Sequence, residues 1–326
     1  MKEISFYKYI QNKDLSVGTI KLDPNTENRI LFTKLNQVYL HPRLWSIITN
    51  DFYIFSDFER YLSQYKHYKQ IILQESKIKK ISQSIDEING TFFLFGSEEN
   101  YWHFLIDFIP RLICLKYIPL KDIKVIIPDN LPEKYLNFII KVCSSININN
   151  VVFYKVNQEN LIYNFEKLYF VSKPSIEFTS SFLKTIFKNK IINKRNKNLY
   201  VQRGKTPRRK VLNESEVINV LKEYHYDVID CYQLTIEEQI DIFSQSRNII
   251  MPSGAAMANL IFVPDDINVV EIRSNLDGDY SNKINLQNRF SLYFFENTKK
   301  IGDQLRKDII INIDELRNFI LKKKIY

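Results

Sequence analysis

Short apolar runs alternate with segments of helical period through the second half of the chain. The runs have the length of strands and little polar alternation, which is typical of strands buried on both faces. A repeated strand–helix order predicts a parallel sheet covered by helices. The predicted strands are Leu199 to Gln202, Asp227 to Cys231, Asn248 to Met251 and Asn268 to Ile272, and the predicted helices are Asn213 to His225, Thr235 to Ser246 and Ala255 to Phe262.

Two of these helices begin with the pattern of a capping box. Asn213 stands three residues before Glu216, and Thr235 stands three residues before Glu238. In such a box the cap side chain and the glutamate each accept a hydrogen bond from a backbone N–H that the helix leaves unsatisfied. We therefore expect both helices to begin at these capping residues.

The middle of the chain repeats the strand and helix order less regularly. We predict two α/β domains, 1–185 and 186–326, with the boundary between Ile176 and Asn198, where the chain becomes polar and basic. Two such domains in series leave a cleft, which is a usual place for a ligand. The other predicted elements are strands at 124–128, 151–155 and 168–171, helices at 133–145 and 181–194, extended runs at 30–38 and 52–58, and a helix at 61–79.

Composition narrows the class of protein and its location. The 326 residues are 45% hydrophobic, which is enough for a sizeable core. No run approaches the roughly 20 apolar residues of a membrane span, and charges interrupt the start where a signal peptide needs an apolar run, so we expect a cytoplasmic protein. The three cysteines are expected to be reduced core residues because they are odd in number and lie in apolar segments: Cys114, Cys143 and Cys231.

The formal net charge of +9 fits three kinds of partner. These are nucleic acid, an anionic membrane surface such as the inner face of the cytoplasmic membrane, and a phosphorylated ligand. Much of the excess is local, which favours a binding site over a general property of the surface. The basic residues gather at Lys194, Arg195, Lys197, Arg203, Lys205, Arg208, Arg209 and Lys210, with a smaller cluster at Lys322, Lys323 and Lys324.

A polar stripe is predicted on an otherwise apolar helix that follows residue 99. Its members are three, four and four residues apart, which places them on one helical face. Because buried polar groups must be paired, the stripe faces either an internal hydrogen-bond network or a polar cleft. Pro110 has no N–H and so frees the carbonyl of Ile106, which predicts a kink. The stripe consists of Asn100, His103, Asp107 and Arg111.

A basic loop follows the predicted strand that ends at Gln202. Gly204 and several cations, directly before a helix, suit a diphosphate group. Arg203 is the leading candidate because it stands at the carboxyl end of the strand. Lys205 and Arg208 are further candidates, and a solvated basic loop is the alternative interpretation.

Small residues form the turn after the strand that ends at Met251. Ser253, Gly254 and Ala255 would let a ligand approach the backbone, and the helix that follows offers N–H groups to a phosphate. Glu271 ends the next strand, where a carboxylate can accept hydrogen bonds from ribose hydroxyls. Tight packing of the strand on the helix is the alternative explanation of the small residues.

Taken together, these three segments resemble glycosyltransferase family 61, a group first catalogued as a domain of unknown function. The resemblance spans roughly Phe93 to Ile272 and depends on the order and spacing of its motifs. The residues that carry it are Asn100-Tyr101-Trp102-His103 with Asp107, Pro110 and Arg111, then Arg203 with Arg208, Asn213 and Glu216, and finally Ser253-Gly254-Ala255 with Asn259, Phe262, Pro264 and Glu271.

The resemblance implies an inverting glycosyltransferase with a GT-B-like α/β fold, in which two Rossmann-like domains face each other across a cleft. It implies that domain 186–326 binds a nucleotide-sugar donor and that domain 1–185 binds the acceptor. No obligatory metal or other cofactor is implied. Many members carry a histidine where this chain has Ser253, so a role that depends on that histidine does not transfer.

An inverting transfer needs a base for the acceptor hydroxyl and a counter-charge for the departing diphosphate. His103 is the candidate base, oriented by Asp107, and Asp107 itself is the alternative. Asn100 and Arg111 are expected to position the acceptor or the donor. The candidate donor-binding residues are Arg203, Lys205, Arg208, Ser253, Gly254, Ala255, Asn259 and Glu271.

A bias towards Ile, Asn and Lys suggests a bacterial chain from an AT-rich genome. We therefore expect a glycan or lipid-linked glycan acceptor in the assembly of capsule, lipopolysaccharide or exopolysaccharide. The alternatives are a nucleic-acid-binding protein that uses the basic surface and an inactive scaffold of glycosyltransferase fold. Nucleic acid is not the expected partner, because the aromatic residues mostly follow core periodicity and no recognised nucleic-acid motif occurs.

Two further motifs are assigned no chemistry. Asp277-Gly278-Asp279 has the form of a metal-binding aspartate pair, but its Gly- and Asn-rich surroundings predict a turn. Ser253 has the setting of a hydrolase nucleophile, yet Met251 replaces the first glycine of that motif and His225 precedes the serine. We therefore predict neither a metal site nor a serine hydrolase.

Overall fold

The structure is a computed structural model, and the chain divides into two compact units, Met1–Phe182 and Leu183–Tyr326. The structure describes residues 2–4, 6–13, 15–22, 28–42, 45–51, 53–55, 85–97, 100–119, 121–159, 162–191, 194–204, 209–273, 280–285, 288–296, 298–301 and 308–326. Outside these residues lie the predicted helix at 61–79, Lys205, Arg208 and Asp277-Gly278-Asp279.

Unit 1 is built on a nine-stranded mixed sheet. Its strands are β1 Lys2–Ile4, β2 Gly18–Lys21, β3 Arg29–His41, β4 Ser46–Ile48, β5 Tyr53–Phe55, β6 Glu87–Leu94, β7 Ile123–Pro128, β8 Val152–Val156 and β9 Tyr163–Val171. The order is β1-β5-β4-β3-β9-β6-β7-β8, with β2 paired to β3. β6 is parallel to β7 and β9, and β7 is parallel to β8, so four neighbouring strands form a parallel half.

The helical segments of unit 1 differ in their hydrogen-bonding period. They are α1 Phe6–Lys13, α2 Tyr101–His103, a π-helical segment Phe104–Phe108, a 3-10 helix Ile109–Tyr117, α3 Glu133–Ser145 and α4 Ile176–Ile186. The prediction of a helix over 133–145 is confirmed, and the helix predicted at 181–194 instead begins five residues earlier and ends at Ile186. α4 crosses the division between the two units.

Unit 2 contains a five-stranded sheet whose strands are all parallel. Its strands are β10 Lys197–Val201, β11 Tyr226–Ile229, β12 Ser246–Pro252, β13 Asn268–Ile272 and β14 Ser291–Phe295, followed by an antiparallel pair, β15 Thr298–Ile301 and β16 Asp308–Ile311. Its helices are α5 Glu214–Glu223, α6 Ile236–Ser244, a 3-10 helix Ala255–Ile261, α7 Tyr280–Ile284 and α8 Ile313–Lys323. The predicted α/β class and parallel sheet are confirmed, and the four predicted strands lie within two residues of the observed bounds.

One of the two predicted capping boxes is present. Thr235 Oγ1 accepts a hydrogen bond from the Glu238 N–H at 3.2 Å, and Glu238 Oε2 accepts one from the Thr235 N–H at 2.8 Å. The box predicted for Asn213 and Glu216 is wrong, because the Asn213 side chain instead bonds both backbone groups of Ile311, each at 2.9 Å. Asn213 thus connects α5 to the end of β16.

The parallel strands of each sheet contain a switch point, a strand whose successors in the chain lie on opposite sides of it. In unit 2 the order is β11-β10-β12-β13-β14, so the strands that follow β10 lie on opposite sides of it. In unit 1, β7 and β8 lie on one side of β6 and β9 on the other. Ligands of open α/β sheets bind outside the carboxyl ends of the strands at such a switch point. The carboxyl ends of β10 and β12, and those of β6 and β9, are therefore the candidate ligand sites of the two sheets.

The burial of the cysteines and the length of the helices can be compared with the sequence predictions. Cys114, Cys143 and Cys231 form no disulfide; the first two are buried, and Cys231 is half-buried. Burial raises the pKa of the Cys143 thiol to about 12, so this thiol is uncharged at neutral pH. Among the described residues, no helix is long and apolar enough to cross a bilayer.

Candidate functional site

The segment after β6 begins with a capped turn of helix. The Asn100 side chain accepts a hydrogen bond from the Trp102 N–H at 3.0 Å, and the Asn100 carbonyl accepts one from the Phe104 N–H at 3.0 Å. An asparagine at the N-cap satisfies donors that the first helical turn leaves open. Asn100 is exposed, and its observed contacts fix where the polar segment starts.

The helix then widens into a π-helical turn before Pro110. The Ile109 N–H bonds the Phe104 carbonyl, five residues back, and Pro110 has no N–H to give. The carbonyl of Ile106 accepts a hydrogen bond from the Thr179 hydroxyl at 3.0 Å. The prediction that Pro110 frees this carbonyl is confirmed. The helix predicted to carry the polar stripe consists of α2, a π-helical segment and a 3-10 helix.

His103 and Asp107 form a buried pair across this turn. His103 Nδ1 lies 2.7 Å from Asp107 Oδ2, and the two residues are only 8% and 5% exposed. On the other side of the carboxylate, Lys173 Nζ lies 3.3 Å from Asp107 Oδ1. One aspartate therefore holds a histidine and a lysine at its two oxygens.

The charge of Asp107 is stabilised by its neighbours. Burial by itself raises the pKa of a carboxyl, but the hydrogen bond from His103 and the positive charge of Lys173, with smaller effects of His103 and Arg111, outweigh it. The pKa of Asp107 is consequently below its ordinary value, and Asp107 is ionised at neutral pH. An ionised carboxylate only accepts hydrogen bonds, so the proton in this pair belongs to Nδ1 of His103.

Arg111, the last residue of the predicted polar stripe, is buried inside unit 1. It is 1% exposed, and its guanidinium carbon lies 4.8 Å from the centroid of the Phe108 ring. Its charge contributes to the lowered pKa of Asp107. In this structure Arg111 acts on the pair electrostatically, because a side chain so deeply buried offers almost no surface to a substrate.

Lys173 is a site residue that the sequence reasoning missed. It follows the carboxyl end of β9 by two residues, and the His103 segment follows the carboxyl end of β6. These two parallel neighbours flank the switch point of the unit 1 sheet. A lysine directly after a predicted strand was a usable signal, since the strand at 168–171 was itself predicted.

In unit 2, Arg203 lies just beyond the carboxyl end of β10, and described residues hold both its backbone and its side chain. Its Nη1 donates to the Ser253 carbonyl at 3.2 Å, and its Nε donates to the Arg209 carbonyl at 3.1 Å. Its own N–H donates to Glu214 Oε1 at 2.7 Å. Glu214, the first residue of α5, also accepts from the Tyr200 hydroxyl at 3.2 Å and was not predicted as a site residue.

Gly254 makes the contact between Arg203 and the next strand end possible. A Cβ atom at this position would lie 2.1 Å from Arg203 Nη1, far inside contact distance. The 3-10 helix that starts at Ala255 follows directly, and Ala255 is half-buried. We predicted that a ligand would lie close to the backbone at Gly254. In the structure the Arg203 guanidinium lies there.

Ser253 and Glu271 belong to a buried network at the ends of β12 and β13. The Ser253 and Ser281 hydroxyls donate to Oε1 and Oε2 of Glu271, respectively. Arg273 Nη2 lies 2.9 Å from Glu271 Oε2 and its guanidinium carbon 3.5 Å from the Phe294 ring centroid. Glu271 is 0% exposed, so a ribose hydroxyl does not reach it in this structure.

Asn259 lies deeper in unit 2. Its side-chain amide donates to Gln239 Oε1 at 2.8 Å, and the residue is 0% exposed. This hydrogen bond joins the 3-10 helix to α6. The predicted donor-binding set thus separates into Arg203, Ser253, Gly254 and Ala255, which meet at the strand ends, and Asn259 and Glu271, which support them from inside.

The geometry of unit 2 is that of a ligand-binding α/β sheet. A guanidinium, a serine and a glycine lie at the carboxyl ends of β10 and β12, on either side of the switch point. The chain belongs to glycosyltransferase family 61, whose sequence pattern matches residues 101–270. The matched segment begins at the α2 turn and ends within β13, so it contains His103, Asp107, Arg203 and Ser253, whereas Glu271 lies one residue beyond it.

A similar solved structure is E. coli heptosyltransferase WaaC with ADP, which is 7% identical and has a TM-score of 0.32, with 71% of this chain and 99% of that chain covered. No curated protein matches the sequence significantly.

Proposed function

We propose that this glycosyltransferase moves a sugar from a nucleotide-sugar donor to a hydroxyl group of a bacterial surface glycan, with inversion and without an obligatory metal ion. The observation that carries the proposal is the contact between Arg203 and the Ser253–Gly254 turn at the switch point of the unit 2 sheet. A cation beside small residues at strand ends suits a diphosphate.

In this proposal Arg203 stabilises the charge of the leaving nucleoside diphosphate. As the bond between the anomeric carbon and the diphosphate oxygen breaks, negative charge grows on that oxygen, and a fixed guanidinium lowers the energy of this transition state. Glu214 fixes the backbone of Arg203, and Arg209 and Ser253 fix its side chain through their carbonyls. Glu271 acts indirectly, by orienting Ser253.

His103 is the base that we propose for the acceptor hydroxyl. In the neutral imidazole, Nδ1 carries the proton that it donates to Asp107, so Nε2 has the lone pair that takes a proton from the attacking hydroxyl. The acceptor oxygen then bonds to the anomeric carbon as the diphosphate departs from the opposite face. The lowered pKa of Asp107 argues against Asp107 as the base, because a carboxylate stabilised in its charged form is a weak proton acceptor.

The acceptor and the place of action are also proposals. The compositional bias supports a bacterial capsule, lipopolysaccharide or exopolysaccharide acceptor, free or lipid-linked. A lipid-linked acceptor would place the enzyme in the cytoplasm at the inner face of the membrane, where the net charge of +9 favours an anionic surface.

A thermal-shift experiment tests the donor site. Uridine, cytidine and guanosine diphosphates are each added with and without EDTA, and one of them is expected to raise the melting temperature equally in both conditions. A ligand at a hundred times its Kd adds about 2.7 kcal/mol of stability. The shift should vanish in Arg203→Ala and persist in Arg247→Ala, an exposed arginine near the opposite end of β12. A shift that requires Mg²⁺ or Mn²⁺ would contradict the metal-independent proposal.

A further inference from the structure

Unit 2 contains a pocket that the proposed transfer reaction does not use. Its volume is about 420 Å³, which is within the usual range for small-molecule sites. Apolar side chains, among them Ile191 and Phe262, form part of its wall. The charged residues that line it are Lys184, Lys188, Arg195, Asp265 and Arg289.

This pocket lies at the opposite edge of the parallel sheet from Arg203 and Ser253. Arg195, Asp265 and Arg289 stand two or three residues before the first residues of β10, β13 and β14, whereas Arg203 and Ser253 follow the last residues of β10 and β12. Residues before parallel strands gather at their amino ends. A five-residue strand is roughly 16 Å long, so a nucleotide at the carboxyl edge would not fill this pocket.

The charges of the pocket are unbalanced. Four cations line it, and Asp265 is the one carboxylate among its lining residues in the described part of the chain. Arg289 Nε donates to Asp265 Oδ1 at 2.7 Å, and its Nη2 donates to the Val263 carbonyl at 2.6 Å. These bonds fix the guanidinium at the pocket wall. Its Nη1 makes no hydrogen bond to any residue that the structure describes.

The excess of positive charge in the pocket affects the pKa of Lys184. It is half-buried, and no ion pair joins its Nζ to a described residue. Burial, together with the charge of Arg289, lowers the pKa of Lys184 to about 8, although Asp265 acts in the opposite direction. A cation that is disfavoured by its surroundings gains from a bound anion more than a solvated cation does.

We propose that this pocket binds the phosphate group of a phosphorylated molecule, with Lys184, Lys188, Arg195 and Arg289 as its cationic ligands. A phosphate oxyanion would balance the excess positive charge and give Arg289 a further acceptor. The volume exceeds that of a bare phosphate, and the apolar wall suits an organic group attached to it. Two sources have this chemistry, a soluble phosphorylated metabolite and the headgroup of an anionic lipid.

Titration with inorganic phosphate tests the site in the full chain. Binding is followed by calorimetry at constant ionic strength, with chloride as the replacement anion, for the wild type and for Lys184→Met/Lys188→Gln. We expect saturable binding in the wild type and at least tenfold weaker binding in the double variant. Lys222→Gln, an exposed lysine on α5, is the matched control and should bind like the wild type.

The Arg203→Ala variant separates this site from the donor site. Phosphate binding that survives in Arg203→Ala but weakens in the double variant supports the proposal. Binding lost in Arg203→Ala and retained in the double variant would overturn it, as would the absence of saturable binding. Arg195→Gln provides a second test, because this exposed residue can be changed with little effect on folding. It should weaken phosphate binding with an unchanged melting temperature.

Vesicles distinguish the two sources of phosphate. Sedimentation with phosphatidylglycerol–phosphatidylcholine vesicles is compared with sedimentation on phosphatidylcholine alone. Loss of binding to the anionic vesicles in Lys184→Met/Lys188→Gln, alongside the loss of phosphate binding, identifies a lipid headgroup. Loss of phosphate binding alone identifies a soluble phosphorylated molecule.

Discussion

Lys173 Nζ lies 3.3 Å from Oδ1 of Asp107, while His103 Nδ1 occupies the other oxygen of the same carboxylate at 2.7 Å. The lysine follows β9 and the aspartate lies in the segment after β6, two strands that pair in parallel. Burial raises the pKa of Asp107, but the hydrogen bond from His103 and then the charge of Lys173 outweigh it and keep Asp107 ionised. An ionised Asp107 in turn fixes the tautomer of His103. Lys173 is thus a positioning residue for the base that we propose.

Loss of the Lys173 charge should weaken this arrangement. Lys173→Met is expected to lower turnover by up to about fivefold, because an ion pair with one exposed partner contributes about 1 kcal/mol. It should also move the acidic limb of the pH–rate profile upward, since the pKa of Asp107 rises without the lysine. Lys173→Arg should restore both. Lys167→Met, which removes the partly exposed ion pair with Glu166, is the control and should leave the pH profile unchanged.

His103→Ala separates a catalytic pair from a structural one. If His103 is the base, turnover should fall by about a hundredfold or more, while nucleotide affinity stays unchanged. Arg203→Ala should weaken both. If the pair only stabilises the fold, His103→Ala would cost about 1 to 3 kcal/mol of stability and activity per folded molecule would survive. Paired measurement of melting temperature and nucleotide-sugar turnover decides between these results.

Asp107 should give the protein a specific sensitivity to acid. Its pKa in the folded state is below its ordinary value of 3.8, so its contribution to stability is present above that value and is lost as the pH falls through the folded-state pKa. The free energies of urea unfolding of the wild type and Asp107→Asn should therefore differ most above pH 3.8, and the difference should disappear as the pH falls through the folded-state pKa of Asp107. A stability difference that does not change with pH would contradict the lowered pKa.

Gly254→Ala should displace the Arg203 guanidinium. The new methyl group would lie 2.1 Å from Nη1, and the far end of an arginine side chain moves more easily than the backbone. We expect nucleoside diphosphate affinity to fall by about tenfold or more, because a hydrogen bond to a charged group contributes about 1.5 to 3 kcal/mol. In an Arg203→Ala background the same change should cost little more. Additive losses in the double variant would show that Gly254 acts without Arg203.

Glu271→Gln should destabilise unit 2. The fully buried carboxylate accepts hydrogen bonds from two serines and forms an ion pair with the half-buried Arg273, so its neutralisation weakens all three interactions. Loss of charge-assisted hydrogen bonds at a buried group costs about 1.5 to 3 kcal/mol. Glu216→Gln, at an exposed position on α5, is the matched control and should change the melting temperature little. A small effect of Glu271→Gln would mean that Glu271 is not essential to the network.

Local sequence patterns predicted the alternation of strands and helices, the parallel sheet of unit 2 and the candidate residues at its strand ends. Buried parallel strands have a strong local signature, because both faces must be apolar. The capping box of Thr235 and Glu238 was also readable, since its partners are three residues apart. The position of Arg203 and Ser253 at neighbouring strand ends followed from the same pattern.

The tertiary structure alone decided which polar groups meet. Asn213 bonds Ile311, 98 residues away, in place of its own helix. Lys173 forms an ion pair with Asp107, and the Thr179 hydroxyl donates a hydrogen bond to the Ile106 carbonyl, which Pro110 leaves without a donor in its own helix. Hydrogen bonds and ion pairs of this kind depend on which strands become neighbours, and strand order is not encoded in local periodicity. For the same reason the cations before β10 and β14 became one pocket only when the sheet placed their strands side by side with β12 and β13.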